Sequence, residues 1–375
     1  MNGPLTGIRV IEVGHMLMGP YCGMLLADLG AEVIKVEPVE GDIARSIGPN
    51  RIGRHNTYFA SLNRNKKSVV LDLASEEGQI GLGEIAAHAR GLITNLRPSA
   101  IRKLGLTFDS MKRWNPNIVC VAMTGYGLDG PYTSRPAYDY AIQALTGVMS
   151  LTGDPTGPPT RAGYSVVDNS TAVMAAVGLL AKLVQGTGGQ VDIAMYDTML
   201  SQLNYLASAW LNAREPALRY ADSAHPYIVP AQNFRTSDGW VTLFITHDKF
   251  WKVFCDEIGR PQWVDDRRFA TMSARLANRD VVLSAVAGVL EGETTRRWME
   301  RLAPLGLVIA EIESLESALQ SDNAAARGMV IELPTEDGAI RVVGNPIKNV
   351  GVHDTFAAPP LLGEHDHLTP AGRTR

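Results

Sequence analysis

Residues 8–13 (IRVIEV) and 32–37 (EVIKVE) are short apolar runs, separated by residues 19–30 (GPYCGMLLADLG), a segment with helical spacing. This strand–helix–strand order constrains the chain more than any other feature. Parallel strands cannot be joined by a tight turn and need a crossover helix. Strands covered on both faces read as continuous apolar runs rather than alternating ones. The pattern then repeats. Residues 68–73 (SVVLDL), 91–94 (GLIT) and 118–123 (IVCVAM) read as further strands, with helical spacing over 75–90. The alternation predicts an α/β fold with a doubly wound parallel sheet.

Residues 169–186 form a long apolar helix that the glycine pair Gly188 and Gly189 stops. Residues 191–194 (VDIA) follow as a strand and 195–213 as another helix. Residues 214–235 hold three prolines and little periodicity, and read as a linker. Residues 236–247 (TSDGWVTLFITH) read as a hairpin, short amphipathic helices run to about residue 328, and strand-like alternation returns over 329–353. The expected layout is a large domain from residues 1–213 and 329–375, a linker at 214–235 and a small domain at 236–328.

Charge and cysteine content narrow the partners. The chain carries 35 Lys and Arg against 39 Asp and Glu, a net charge of −4, so no overall basic field draws it to nucleic acid or a membrane surface. Cys22, Cys120 and Cys255 are too few and too widely spaced for a disulfide framework or a zinc knuckle, which points to a reducing, cytoplasmic setting. The opening MNGPLTGIRVIEV has no basic region followed by an apolar core, so no leader is expected. No apolar run reaches the roughly 18 residues that a membrane-spanning helix needs, so none is expected.

Several motifs invite a chemical reading. Residues 125–130 spell G-x-G-x-x-G after a strand, but Pro131 follows and no helix opens there to hold a pyrophosphate, so a glycine-rich turn describes them better. No phosphate-binding GxxxxGK[ST] and no G-x-S-x-G elbow occurs. His365 and His367 lack a third ligand, so no metal site is expected. Basic residues cluster in NRNKK (residues 63–67) and at Arg97, Arg102 and Lys103. Either cluster is ordinary surface charge or, if the sheet brings them to one crevice, a phosphate site. Asp168, before the long apolar helix, suits a helix N-cap. The same position suits a nucleophile, because the helix dipole and free N–H groups would hold the carboxylate ionised.

The strings around these residues resemble the family III CoA-transferases of the CaiB/BaiF type, the formyl-CoA and carnitine CoA-transferase group. The likeness begins with PLTGIRVIEVGHMLMGPYCGMLLADLGAEVIKVEP and continues through SLNRNKKSVVLDL, NLRPSAIRKLGL and MTGYGLDGPYTSRPAYDYAIQALTGVMSLTG. It extends through VVDNSTAV and GQVDIAMYDTML to PIKNVGVHDTFAAPPLLGEH. It implies a Rossmann-like large domain built from both chain ends, an inserted smaller α+β domain and an interlocked homodimer. It places the family's nucleophilic aspartate on Asp168. It also implies that His15, Met16, Leu17, Asn95, Leu96, Arg97, Arg102, Tyr126 and Tyr138 face CoA or the acyl group. The substrates would be an acyl-CoA and a carboxylic acid, with no tightly bound cofactor.

Three departures qualify the likeness. Pro38 stands where relatives often carry an arginine that contacts the CoA nucleotide. Residues 214–238 contain no glycine, so a glycine-rich lid is not expected. Tyr138 stands where related racemases carry a histidine, which sets α-methylacyl-CoA racemisation behind CoA transfer. A non-catalytic CoA-binding protein is the third reading. Arg161, Arg219 and His225 are candidates for a second cationic contact that would suit a small dicarboxylate acceptor.

Overall fold

The computed structural model describes residues 3–351 and 356–369. Six strands form one parallel sheet: β1 (Arg9–Val13), β2 (Glu32–Glu37), β3 (Lys66–Val70), β4 (Gly91–Thr94), β5 (Val119–Thr124) and β6 (Gly189–Ala194). Their order across the sheet is β3-β2-β1-β4-β5-β6. The chain winds from β1 outward to β3, then returns to β4 and winds the other way. The order therefore reverses between β1 and β4, where the loops leaving two adjacent strands part and open a crevice.

Side-chain alternation within β1 assigns the two faces. Ile11 and Val13 join Ile34, Val36, Leu92 and Cys120 in one apolar cluster, covered by Leu82, Ile85 and Ala86 of the helix Glu76–Ala87. Glu12 points the other way, beneath α1 (Met18–Asp28). A Cβ on Gly23 of α1 would lie 2.0 Å from the Glu12 carboxylate, so only glycine lets the helix approach. The same face is covered by the long helix Val166–Gln185, which packs on α1, β5 and β6. By length and composition this helix is sufficient to cross a membrane, contrary to the run-length expectation. Asp168 and Lys182 interrupt its apolar run without making the segment polar.

All six sheet strands come from residues 9–194. The C-terminal segment joins by bordering β3 rather than by adding a strand. His365 N donates to the Ser68 carbonyl at 2.9 Å, and Val70 N donates to Asp366 Oδ1 at 2.7 Å. His365 Nδ1 accepts from Ser68 N at 3.3 Å, so this histidine serves the sheet edge.

The chain divides into two compact units, Met1–Thr146 with Ala162–Ala207 and Leu319–Arg375, and Gly147–Arg161 with Ser208–Ala318. The second has its own core, in which Trp251 stacks on Trp263 and Phe269 beside Phe254 and Trp298. Its antiparallel hairpin pairs Ala231–Arg235 with Trp240–Phe244, five residues earlier in the chain at its start than the sequence suggested. β3 likewise begins at Lys66, before the apolar run at residue 68, because ion pairing lets its two lysines enter the sheet.

Candidate active site

The loop after β1 lies at the reversal point and is held from three directions. Asn95, just past the end of β4, donates through Nδ2 to the His15 carbonyl and accepts from His15 N, each at 3.0 Å. Gly14 and Gly19 leave the room this requires: a Cβ would sit 2.6 Å and 2.8 Å from Asn95 Oδ1. Met16 has a φ of 64°, and its N–H donates to Asp42 Oδ1 at 3.1 Å. Lys35 Nζ donates to the Gly14 carbonyl at 2.9 Å while pairing with Glu12 at 2.8 Å and Asp42 at 2.9 Å. Burial disfavours the Lys35 charge, but Glu12, Asp42 and Glu37 outweigh it and raise its pKa. Burial also depresses the His15 imidazole, with Asp42 opposing and Lys35 reinforcing.

Asp168 occupies the third position of the helix Val166–Gln185, whose N-cap is Ser165. It is not the cap, and no side chain of Ser165 caps the helix either. The free N–H groups are taken by Asp139, the first residue of the helix Asp139–Leu145. Asp139 Oδ2 accepts from Val167 N at 2.9 Å and Asp168 N at 3.4 Å, and Oδ1 accepts from Gln143 Nε2 at 2.5 Å. Gln143 Oε1 in turn accepts from Ala162 N at 2.9 Å. The expected dipole-stabilised anion is therefore corrected. Burial first, and the Asp139 charge second, push the Asp168 carboxyl up to about 7. Burial and then Asp168 also raise the Tyr58 phenol.

Two cavities adjoin at this point and share His15, Met16, Leu96 and Tyr138. The smaller, about 290 Å³, contains Asp168 together with Leu17, Asn95, Arg97 and Tyr126. The larger, about 770 Å³, is walled mainly by apolar side chains, among them Val13, Val36, Ile43, Leu71 and Leu104, with Pro38 in its lining. The sequence-derived residues thus converge, except Arg102, which lines neither cavity. Arg102 donates to the Leu128 carbonyl and pairs with Asp129 at 3.4 Å, tying the helix Pro98–Lys103 to the loop after β5. Tyr58, Thr133, Arg135, Asp139, Tyr140 and Ser165 also line the smaller cavity. Thr133, Arg135, Asp139 and Tyr140 fall within the string MTGYGLDGPYTSRPAYDYA that carries the family likeness, but no spacing marks them, or Tyr58 and Ser165, as cavity residues.

The NRNKK cluster is internal structure and not a phosphate site. Lys66 is buried, 2.7 Å from Glu12 and 2.9 Å from Asn63 Oδ1. Arg64 is buried against Asp28 at 2.6 Å, and Lys67 pairs with Glu32 at 2.6 Å. Arg97 differs: it is exposed, and its guanidinium meets no hydrogen-bond or ionic partner among the described residues. Arg161, Arg219 and His225 belong to the second unit. There Arg219 donates to the Gly157 and Pro158 carbonyls, and His225 Nδ1 accepts from Tyr227 and Ile228 N–H groups.

The chain as a whole has known counterparts. An acetyl-CoA:oxalate CoA-transferase from Acetobacter aceti is 33% identical, over 97% of this chain and 94% of its own. A succinate–glutarate CoA-transferase from Agrobacterium fabrum is 33% identical, over 96% and 94%. The crystal structure of a CaiB/BaiF family protein from Brucella suis superposes with a TM-score of 0.85 at 31% identity, covering 98% of each chain. The model of CoA-transferase family III matches residues 5–366, and the chain belongs to that family.

Proposed function

We propose that this enzyme moves CoA from an acyl-CoA to a dicarboxylic acid by way of covalent intermediates on Asp168. The observation that carries the reading is the placement of Asp168, a desolvated carboxyl of raised pKa in a cavity that opens into a larger apolar cleft. A carboxylate less stabilised by solvent and hydrogen bonds is more basic, and once ionised it is a stronger nucleophile. The apolar cleft suits the nucleotide and pantetheine portions of CoA, with the thioester at the shared rim. His15, Met16, Leu17, Asn95 and Leu96 would then border the ligand, and Arg97 would supply a charged contact.

In the first step the Asp168 carboxylate attacks the thioester carbonyl. The C–S bond breaks, CoA leaves as thiolate, and a mixed anhydride remains. The thiolate then attacks the aspartyl carbonyl. The anhydride C–O bond breaks, the donor acid leaves as carboxylate, and an aspartyl-CoA thioester forms. The acceptor carboxylate attacks that thioester, expelling the thiolate and forming a new anhydride. Attack of the thiolate on the acceptor's acyl carbon releases the new acyl-CoA and restores Asp168. Each intermediate keeps the activation of the thioester, which a serine ester would dissipate. The sequence calls for no bound prosthetic group.

A homodimer belongs to the same proposal. Val173, Met174, Val177, Val184 and Leu200 are exposed along the helices Val166–Gln185 and Met195–Gln202, an apolar surface that a second copy would cover. A cytoplasmic setting is supported by three free, buried cysteines.

The test is chemical trapping. The enzyme incubated with succinyl-CoA and then hydroxylamine or borohydride should carry a modification on the peptide containing Asp168. Transfer without any such adduct, at full rate in Asp168→Asn checked for deamidation, would reject the covalent route.

A further inference from the structure

We infer that Arg135 selects dicarboxylic acceptors by pairing its guanidinium with the carboxylate that does not react. The inference rests on the transfer reading above and adds the residue that recognises the second charge. Arg135 lines the same cavity as Asp168. Its guanidinium lies 3.7 Å from the centroid of the Tyr132 ring, while its backbone N–H donates to the Tyr132 carbonyl at 2.8 Å. No carboxylate of the described residues pairs with it.

Its place in the Asp168 cavity is what sets Arg135 apart, since among the described residues Arg113, Arg214 and Arg279 also lie over aromatic rings without a carboxylate partner. Arg45, Arg54, Arg64 and Arg275 all have carboxylate partners. Arg102 spends its donors on Leu128 and Asp129. Among the described residues, only Arg97 and Arg135 bring an arginine without a carboxylate partner into the Asp168 cavity. Arg97 follows Leu96, which also lines the CoA-sized cleft, so its position suits the CoA side. Arg135 comes from a different part of the lining, the segment after β5 that leads into Tyr138 and Asp139. Stacking on Tyr132 fixes the plane of the guanidinium and leaves its N–H edge available. A planar fork of that kind matches a carboxylate with two parallel hydrogen bonds. An acceptor whose reacting carboxylate addresses Asp168 would place its far carboxylate within this part of the lining. A monocarboxylate of equal length would leave the charge of Arg135 unanswered.

The experiment compares glutarate with pentanoate, acids of equal chain length, as acceptors from succinyl-CoA. It uses the full-length enzyme and the variants Arg135→Gln and Arg135→Lys, each checked for an unchanged melting temperature. Arg135→Gln should raise KM for glutarate by about tenfold or more, leave KM for pentanoate within about twofold, and change kcat little. Arg135→Lys should fall between, since an ammonium keeps the charge but loses the fork. Equal shifts for both acids, or an unchanged KM for glutarate, would overturn the assignment. A binding readout separates it from the transfer reading. With CoA present, glutarate should raise the melting temperature of the native protein but not of Arg135→Gln, and pentanoate should raise neither. If neither acid is turned over but that difference appears, the transfer reading fails and the role of Arg135 stands. If the melting shifts are the same in both proteins, the role of Arg135 is rejected.

Discussion

The Asp139 carboxylate accepts the Asp168 backbone N–H at 3.4 Å and, with burial as the larger cause, keeps the Asp168 carboxyl protonated to about pH 7. One aspartate takes the helix N-terminus, so the next aspartate is denied it. The pair divides two functions that a single residue at a helix start usually combines, capping and carrying charge. Asp139 spends both oxygens on hydrogen bonds, and Asp168 is left desolvated and available for reaction.

Replacing Asp168 by Asn should abolish transfer and stabilise the protein. The folded-state pKa lies above the ordinary carboxylate value, so the folded chain binds more protons than the unfolded chain between about pH 4 and 7. Above pH 7 the ionised carboxylate is therefore a full penalty on folding, and the penalty fades as pH falls through 7 toward 4. At pH 8 the variant should gain roughly 2–4 kcal/mol over the native enzyme. Urea titrations at pH 8 and pH 5 should show that difference shrinking at the lower pH.

The pH profile of kcat/KM should rise through about 7, because only the ionised Asp168 attacks the thioester. In Asp139→Asn the repelling charge is gone, so the midpoint should move to lower pH. The same variant should lose some activity, because an amide cannot accept on both sides from Val167 and Gln143 as the carboxylate does. A profile whose midpoint stays in place would remove Asp139 as a cause of the shift.

Asn95→Ala should cost about 1–3 kcal/mol of stability and raise KM for acyl-CoA. The substitution leaves the His15 N–H and carbonyl without the partners that hold the loop after β1. Gly14→Ala should resemble it, since its Cβ would lie 2.6 Å from Asn95 Oδ1 and push the amide away. Thermal melting and acyl-CoA saturation curves for the two variants provide the check.

Arg97 and Arg102 should separate in CoA binding. Arg97 lines the cavity without a partner among the described residues, so Arg97→Ala should weaken acyl-CoA binding by about 1–3 kcal/mol, with a reduced salt dependence. Arg102 is engaged with Leu128 and Asp129 outside both cavities, so Arg102→Ala should leave affinity nearly unchanged. Isothermal titration at two salt concentrations distinguishes them.

The sequence by itself determined the sheet and the neighbourhood of the site. Continuous apolar runs with helical segments between them permit little other than a parallel, covered sheet, and β1, β2, β4 and β5 lie within a residue of where the runs predict them. His15–Leu17 and Asn95–Arg97 were pointed to by the family resemblance, and the sheet order brings them together because the loops leaving β1 and β4 lie side by side at the reversal. Tertiary structure alone decided the charges. Whether Lys66 and Arg64 meet phosphate or a buried carboxylate depends on Glu12 and Asp28, which lie far away in sequence and next to them in space. Whether the Asp168 carboxyl keeps an ordinary pKa or a raised one depends first on its burial and then on Asp139, 29 residues earlier, which takes free N–H groups of its helix. Apolar pattern is a local property of the chain. The energy of a buried charge is set by what surrounds it within a few ångströms, and only the fold supplies those neighbours.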